Sequence, residues 1–226
     1  MTNREETLTR IRQSLQTSLL PEASDRIERV GPLPAVDHAT LLESFVREAQ
    51  TAGSEVYQPT TPDDATETLL DLVKQAGQQA ITWSDEDLPI KDIHELLFHA
   101  GVTRHVPDLA RDPVMRRQQW QNLDAVRVGI TGALGGLADT GSIIVASGRQ
   151  RARAASLLPE THIALLPVDR LYPTMQAFFG AHSAQDLTGN SSNLVFITGP
   201  SRTADIEMII TRGVHGPKRL CVILLP

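Results

Sequence analysis

Apolar positions follow two rhythms along this chain. In the first half they recur every three or four residues, the period of a helix with one buried face. Leu8, Ile11, Leu15 and Leu19 keep that spacing until Pro21 ends it. The stretch "PEASDRIERVGPLP" then reads as a linker, with Gly31 beside Pro32 and Pro34. From Asp37 the pattern alternates. "HATLLESFVREAQTAG" predicts a helix stopped by Gly53, and "EVYQP" predicts a strand. "TPDDATETLLDLVKQAG" predicts a helix whose Pro62 and paired aspartates suit its positive N-terminal end. The short strand "AITW" and the helix "IKDIHELLFHAG" follow. In the second half the rhythm changes to short apolar or β-branched runs: "AVRVGIT", "GSIIVAS", "HIALLP", "NLVFIT" and "RLCVILL". Such runs, without polar alternation, predict strands buried on both faces, as in a parallel sheet covered by helices. The expected organisation is a helical extension and linker over residues 1–36, followed by an α/β domain over 37–226. The sheet of that domain is expected to be mostly parallel, with helices on both faces.

Composition narrows the function more than the fold. With 226 residues the chain can bury a full core. Its formal charge of -6, without a long Lys/Arg run, argues against nucleic-acid binding. No stretch has the roughly 18 uninterrupted apolar residues of a membrane helix, and the polar N-terminus has no signal-peptide core. A soluble, cytoplasmic protein without membrane insertion is expected. The one cysteine, Cys221, stands in an apolar run. One thiol cannot hold an iron–sulfur cluster, which needs several, so no cofactor of that kind is expected on this chain.

Four motifs invite chemistry. "VGITGALGGLADTGSIIVASG" is glycine-rich, but it lacks the Gly-Lys-Ser/Thr ending of a phosphate loop. Gly132, Gly135 and Gly136 fit a dinucleotide fingerprint poorly, so the expected feature is a loop whose backbone approaches a ligand or partner closely. Within it, Asp139, Thr140, Gly141 and Ser142 place a carboxylate and two hydroxyls at the mouth of a strand. "HELLFH" spaces its histidines five apart, which does not share a helix face, so no metal site is assigned. The alternate arginines Arg149, Arg151 and Arg153 either neutralise an anion or simply face water. Last, "TGPSRTADIEMIITRGVHGP" reads as a strand, a Gly199-Pro200 turn and a helix capped by Ser201 or Thr203. Asp205 and Glu207 would occupy its first turns, and Ile206, Ile209 and Ile210 its buried stripe. Arg202 and His215 are left over by that structural reading. A helix N-terminus after a sheet strand is a place where anions bind.

Three blocks, "GITGALGGLADTGSIIV", "SLLPETHIALLPVDRL" and "GPSRTADIEMIITRGVHGP", resemble in order and spacing the lactate-utilisation protein C family, the LUD domain. The resemblance implies a fold related to the ribose-phosphate isomerase, glucosamine-phosphate deaminase and CoA-transferase group. It also implies a cytoplasmic part in oxidising L-lactate to pyruvate beside iron–sulfur partner proteins, which would carry the redox centres. Signature positions carried over are Asp139, Thr140, Gly141, Pro159, His162, Gly199, Pro200, Ser201, Thr203, Asp205, Glu207, Gly213, His215, Gly216 and Pro217. For a small anionic metabolite the expected binding residues are Gly132, Asp139, Thr140, Gly141, Ser201, Arg202, Thr203 and Asp205. Asp139, Glu207 and His215 are the candidates for acid or base. The alternative is a free-standing isomerase or CoA-transferase-like enzyme acting on a small phosphorylated or thioester substrate.

Overall fold

A computed structural model of the chain describes residues 3–17, 36–107, 112–183, 185, 187, 191–204, 210–212 and 215–226. Two compact units divide the chain, Met1–Pro34 and Ala35–Pro226. The first contains helix α1, Asn3–Thr17, on which Leu8 and Ile11 are exposed.

The second unit opens with α2, His38–Thr51, whose N-cap Asp37 accepts from the Thr40 backbone N–H. Strand β1, Glu55–Tyr57, follows, and then α3, Pro62–Ala76. Thr61 and Asp64 form a reciprocal capping box at the start of α3, satisfying two of the donors a helix leaves open. Next come β2, Gln79–Thr82; α4, Ile93–His99; β3, Thr103–His105; and α5, Pro113–Leu123. Beyond α5 the chain forms β4, Val128–Gly132; β5, Gly135–Leu137; β6, Ser142–Ser147; and the single turn α6, Ala154–Leu157. It continues through β7, Thr161–Pro167; β8, Leu171–Tyr172; α7, Met175–Ala181; and β9, Asn193–Ile197. It closes with β10, Arg202–Ala204; β11, Ile210–Arg212; and β12, Arg219–Leu225.

Six of these strands make one parallel sheet in the order β1-β12-β7-β4-β2-β3. Its central strands β4, β7 and β12 are buried almost end to end, which is why they read as unbroken apolar runs. The fold is therefore α/β with a mostly parallel main sheet and helices packed on it.

Two expectations need correction. "GSIIVAS" and "NLVFIT" do not join the parallel sheet. They are β6 and β9 of a second sheet, β8-β5-β6-β9, in which β5–β6 and β6–β9 run antiparallel. The cause is the turn after β5. Gly141 adopts φ +63 and its N–H bonds to the Leu137 carbonyl at 2.9 Å, so β6 folds straight back and no crossover intervenes. β6 is buried on both faces because Ile143 and Val145 enter the large core while Ile144 joins a smaller one with Leu137 and Phe178. The second correction concerns the helix expected after Gly199. Arg202–Ala204 instead pairs antiparallel with Ile210–Arg212. Consecutive β-branched Ile210 and Thr211 favour an extended backbone, and that preference outweighs a helical spacing. Ile206 and Ile209, part of the expected stripe, lie outside the described residues.

Candidate functional site

The sequence-chosen residues separate into three places. The first is the end of α2. A Cβ on Gly141 would run into the backbone of Ala49, and one on Gly199, at φ +74, into the carbonyl of Ala52. Arg202 donates from its guanidinium to that same Ala52 carbonyl. Thr140 and Ser142 hydroxyls lie 2.8 Å apart, and Ser142 reaches Thr198 at 2.6 Å. Two motifs, joined by Ser142 and Thr198 that stand 56 positions apart in the sequence, thus meet at the last turn of one helix. Arg202 caps a helix C-terminus, where carbonyls lack partners and positive charge is favoured. That replaces the expectation of an anion at a helix N-terminus, since no helix begins at Ser201–Thr203. Asp139 is exposed beside this cluster, accepting from the Thr140 hydroxyl at 3.3 Å.

Gly132 stands elsewhere, at the carboxyl end of the parallel sheet. A cleft of about 240 Å³ opens there, where β2 and β4 end. Trp83, Asp87, Gly132, Arg151 and Arg170 are among its walls. A Cβ on Gly132 would sit 2.9 Å from the Asp87 carbonyl, so the glycine lets the loop after β2 close over the strand. Ser84 holds the Asp87 carboxylate at 2.7 Å, and Arg151 makes an ion pair with that carboxylate at 3.7 Å. Open α/β sheets bind ligands outside the carboxyl ends of their strands, and here the lining carries two arginines together with the carboxylates Glu86 and Asp87.

The third place lies between the two sheets. A cavity of about 130 Å³ is walled by β9 residues Val195 and Ile197, by Leu157 and Leu220, and by the segments around Ser201 and His215. Ser201 and Pro217 join these segments through a backbone hydrogen bond of 2.9 Å. His162, on β7, also lines the cavity and is 1% exposed. In the ladder it faces Gly129, so Thr131, two residues along β4, is its diagonal neighbour on the same face. The Thr131 hydroxyl lies 2.8 Å from His162 Nε2, while Nδ1 is buried with no hydrogen-bond partner among the described residues. Burial alone pulls the His162 pKa down to about 4, so the imidazole is neutral near pH 7. His215 is exposed at this cavity.

Of the expected site residues, the structure therefore brings Ser201 and His215 together, puts Asp139, Thr140, Gly141 and Arg202 at α2, and leaves Gly132 apart. Thr203 is in β10 opposite Thr211. Asp205 and Glu207 lie outside the described residues. His162 was a signature position but not a site candidate; its one signal was a histidine opening an otherwise apolar strand. Trp83 and Arg170 gave no signal. Among the described residues, no group of three or more His, Cys, Asp or Glu is placed to hold a metal ion, and no helix is long and apolar enough to cross a membrane.

A buried parallel sheet with cavities at its carboxyl end and on one face defines an α/β protein with small-molecule-sized cavities. More particularly, residues 42–225 match the LUD domain family, and the chain belongs to that family. A protein named Lactate utilization protein C from Halalkalibacterium halodurans is 40% identical over 72% of this chain and 73% of its own length. A protein of the same name from Geobacillus sp. is 32% identical over 74% of this chain and 70% of its own. A crystal structure of a duf162 family protein from Deinococcus radiodurans superposes with a TM-score of 0.61 over 85% of this chain and all of that one, at 21% identity, which speaks for the fold alone.

Proposed function

We propose that this protein serves L-lactate utilisation as a cytoplasmic subunit without a redox centre of its own, beside iron–sulfur partner proteins. In that role it holds a small carboxylate or other anionic metabolite in the arginine-lined cleft. The observation that carries the reading is the 40% identity to a Lactate utilization protein C across almost three quarters of both chains. The cysteine supports the division of labour. Cys221 is buried, and burial together with the Glu55 carboxylate pushes its thiol up to about 12, far from the thiolate a metal requires. Arg151 and Arg170 support the anion, being cations at the sheet end where α/β folds place ligands.

Two measurements test the halves separately. In Halalkalibacterium halodurans deleted for its own Lactate utilization protein C, expression of this chain should restore growth on L-lactate. Soluble expression without growth would remove the lactate assignment. For the cleft, L-lactate or pyruvate at a hundredfold excess over Kd should add about 2.7 kcal/mol, or roughly 5–10 °C in melting temperature. Arg170→Ala should abolish most of that rise; equal rises in both proteins would exclude the cleft.

A further inference from the structure

The cavity between the sheets is distinct from the arginine cleft in place and in chemistry. Its walls are mainly apolar, and they include His162, almost wholly buried, whose Nδ1 has no hydrogen-bond partner among the described residues. A buried polar atom without a partner costs about 1–3 kcal/mol, so its persistence at a cavity wall calls for something to pair with it.

The Thr131 contact indicates which proton that something meets. Thr131 is itself fully buried, and His162 Nε2 is the one partner recorded for its hydroxyl among the described residues. If Nε2 carried the proton, the threonine hydroxyl hydrogen would be left as a buried donor with no acceptor. If the hydroxyl donates to Nε2 instead, the imidazole proton sits on Nδ1. The second arrangement leaves a single open donor, and that donor belongs to a residue lining the cavity. We propose that this inter-sheet cavity is a binding site for the carbonyl-bearing end of a small uncharged molecule, with His162 Nδ1–H donating to the carbonyl oxygen and Val195, Ile197 and Leu220 packing around its short apolar body.

Size and charge limit the ligand further. A cavity of 150 Å³ accommodates benzene, so about 130 Å³ takes roughly five or six non-hydrogen atoms. A carboxylate would be carried into an apolar space beside a neutral imidazole, and desolvating a charge without a paired cation is costly. A ketone or primary amide of that size fits.

The test uses the whole chain with 2-butanone and propionamide as probes, and propionate as the charged counterpart. Ring ¹⁵N–¹H spectra of the free protein should show His162 protonated at Nδ1. Saturation with either neutral probe should shift those nitrogen resonances, while propionate binds at least tenfold more weakly. Val195→Phe, at a half-buried wall position on β9 rather than on β4 or β7, should reduce affinity for both probes tenfold or more while leaving the Thr131–His162 pair in place. His162→Phe should also lose binding, but Val195→Phe keeps the test decisive if that variant does not fold. An Nδ1 without its proton, unshifted ring nitrogens at probe saturation, propionate binding as tightly as propionamide, or equal affinities in wild type and Val195→Phe would each overturn the proposal.

Discussion

The two sheets of this protein are built from similarly apolar strands but differ in where they rely on absent side chains. The parallel sheet is held by what its side chains fill: Ile130, Ile163, Leu165, Val222 and Ile223 are all buried in one continuous core. Both sheets also need side chains to be missing: on β4 a Cβ at Gly129 would run into the Ala155 carbonyl oxygen, and the second sheet makes such demands as well. At Gly136 an added Cβ would lie 2.8 Å from Leu166, from Leu171 and from Phe45 at once, and at Gly141 it would enter the backbone of α2. The first arrangement tolerates exchange among hydrophobic residues of similar volume, because burial is nearly non-directional. The second is stricter at Gly141, where the neighbour is helix backbone, than at Gly136, where the neighbours are side-chain ends that can shift. Sequence signatures that look catalytic, such as Asp-Thr-Gly and Gly-Pro-Ser-Arg, include residues selected by that geometry.

The strongest way to break the contrast is Gly141→Ala. It combines a positive φ with a backbone collision, so a loss of about 3–5 kcal/mol is expected in urea or thermal unfolding. An equally small methyl change in the parallel sheet, Ile163→Val, should cost only about 0.5–1.5 kcal/mol. Comparable losses in the two variants would erase the distinction.

Acid sharpens the comparison from the parallel side. His162 titrates near its ordinary value in the unfolded chain but only at about 4 when folded. Its folded pKa is depressed, so full stability is present above about pH 6.5 and is lost as pH falls towards 4, by roughly 3 kcal/mol in all. Unfolding free energies measured between pH 7 and 4 should show that slope, and His162→Gln should flatten it. A slope unchanged in the variant would assign the acid sensitivity to other groups.

The smallest effect belongs to Arg202→Ala. Losing one partly solvated hydrogen bond at the end of α2 should lower the melting temperature by about 2–4 °C. It should not alter the response to lactate or pyruvate, because Arg202 is not part of the cleft. A lost response would return Arg202 to the anion site.

These contrasts also explain what could be read from the sequence. Helix α3 was legible from its Pro62 and its aspartates, and β7 and β12 from unbroken apolar runs, because local chemistry alone dictates those elements. β6 was legible as a strand but not as an antiparallel one. Buried on both faces, it has the same pattern as its parallel neighbours, and only a turn at Gly141 decides its partner. The β10–β11 pairing was hidden because isoleucines at helical spacing are also β-branched residues that favour strands. The candidate sites fared similarly. Ser201 and His215 could be chosen from one motif, whereas His162 lines a cavity only because β7 is set beside β4 and β9 walls the same space. Arg170 and Trp83 meet at a sheet end that no local pattern describes.

Strand β12 has a consequence for biosynthesis. Its Cys221 is the register partner of Glu55 on β1, 166 positions earlier, and β12 separates β1 from β7 in the sheet. At 5–20 residues per second, the ribosome needs on the order of ten seconds or more between making β1 and making β12. Throughout that interval β1 lacks its neighbour, and the apolar strand β7, once made, has one edge open to other chains. The nascent protein therefore presents a ready template for aggregation until its central strand emerges, and chaperones would have their longest opportunity to act during that wait.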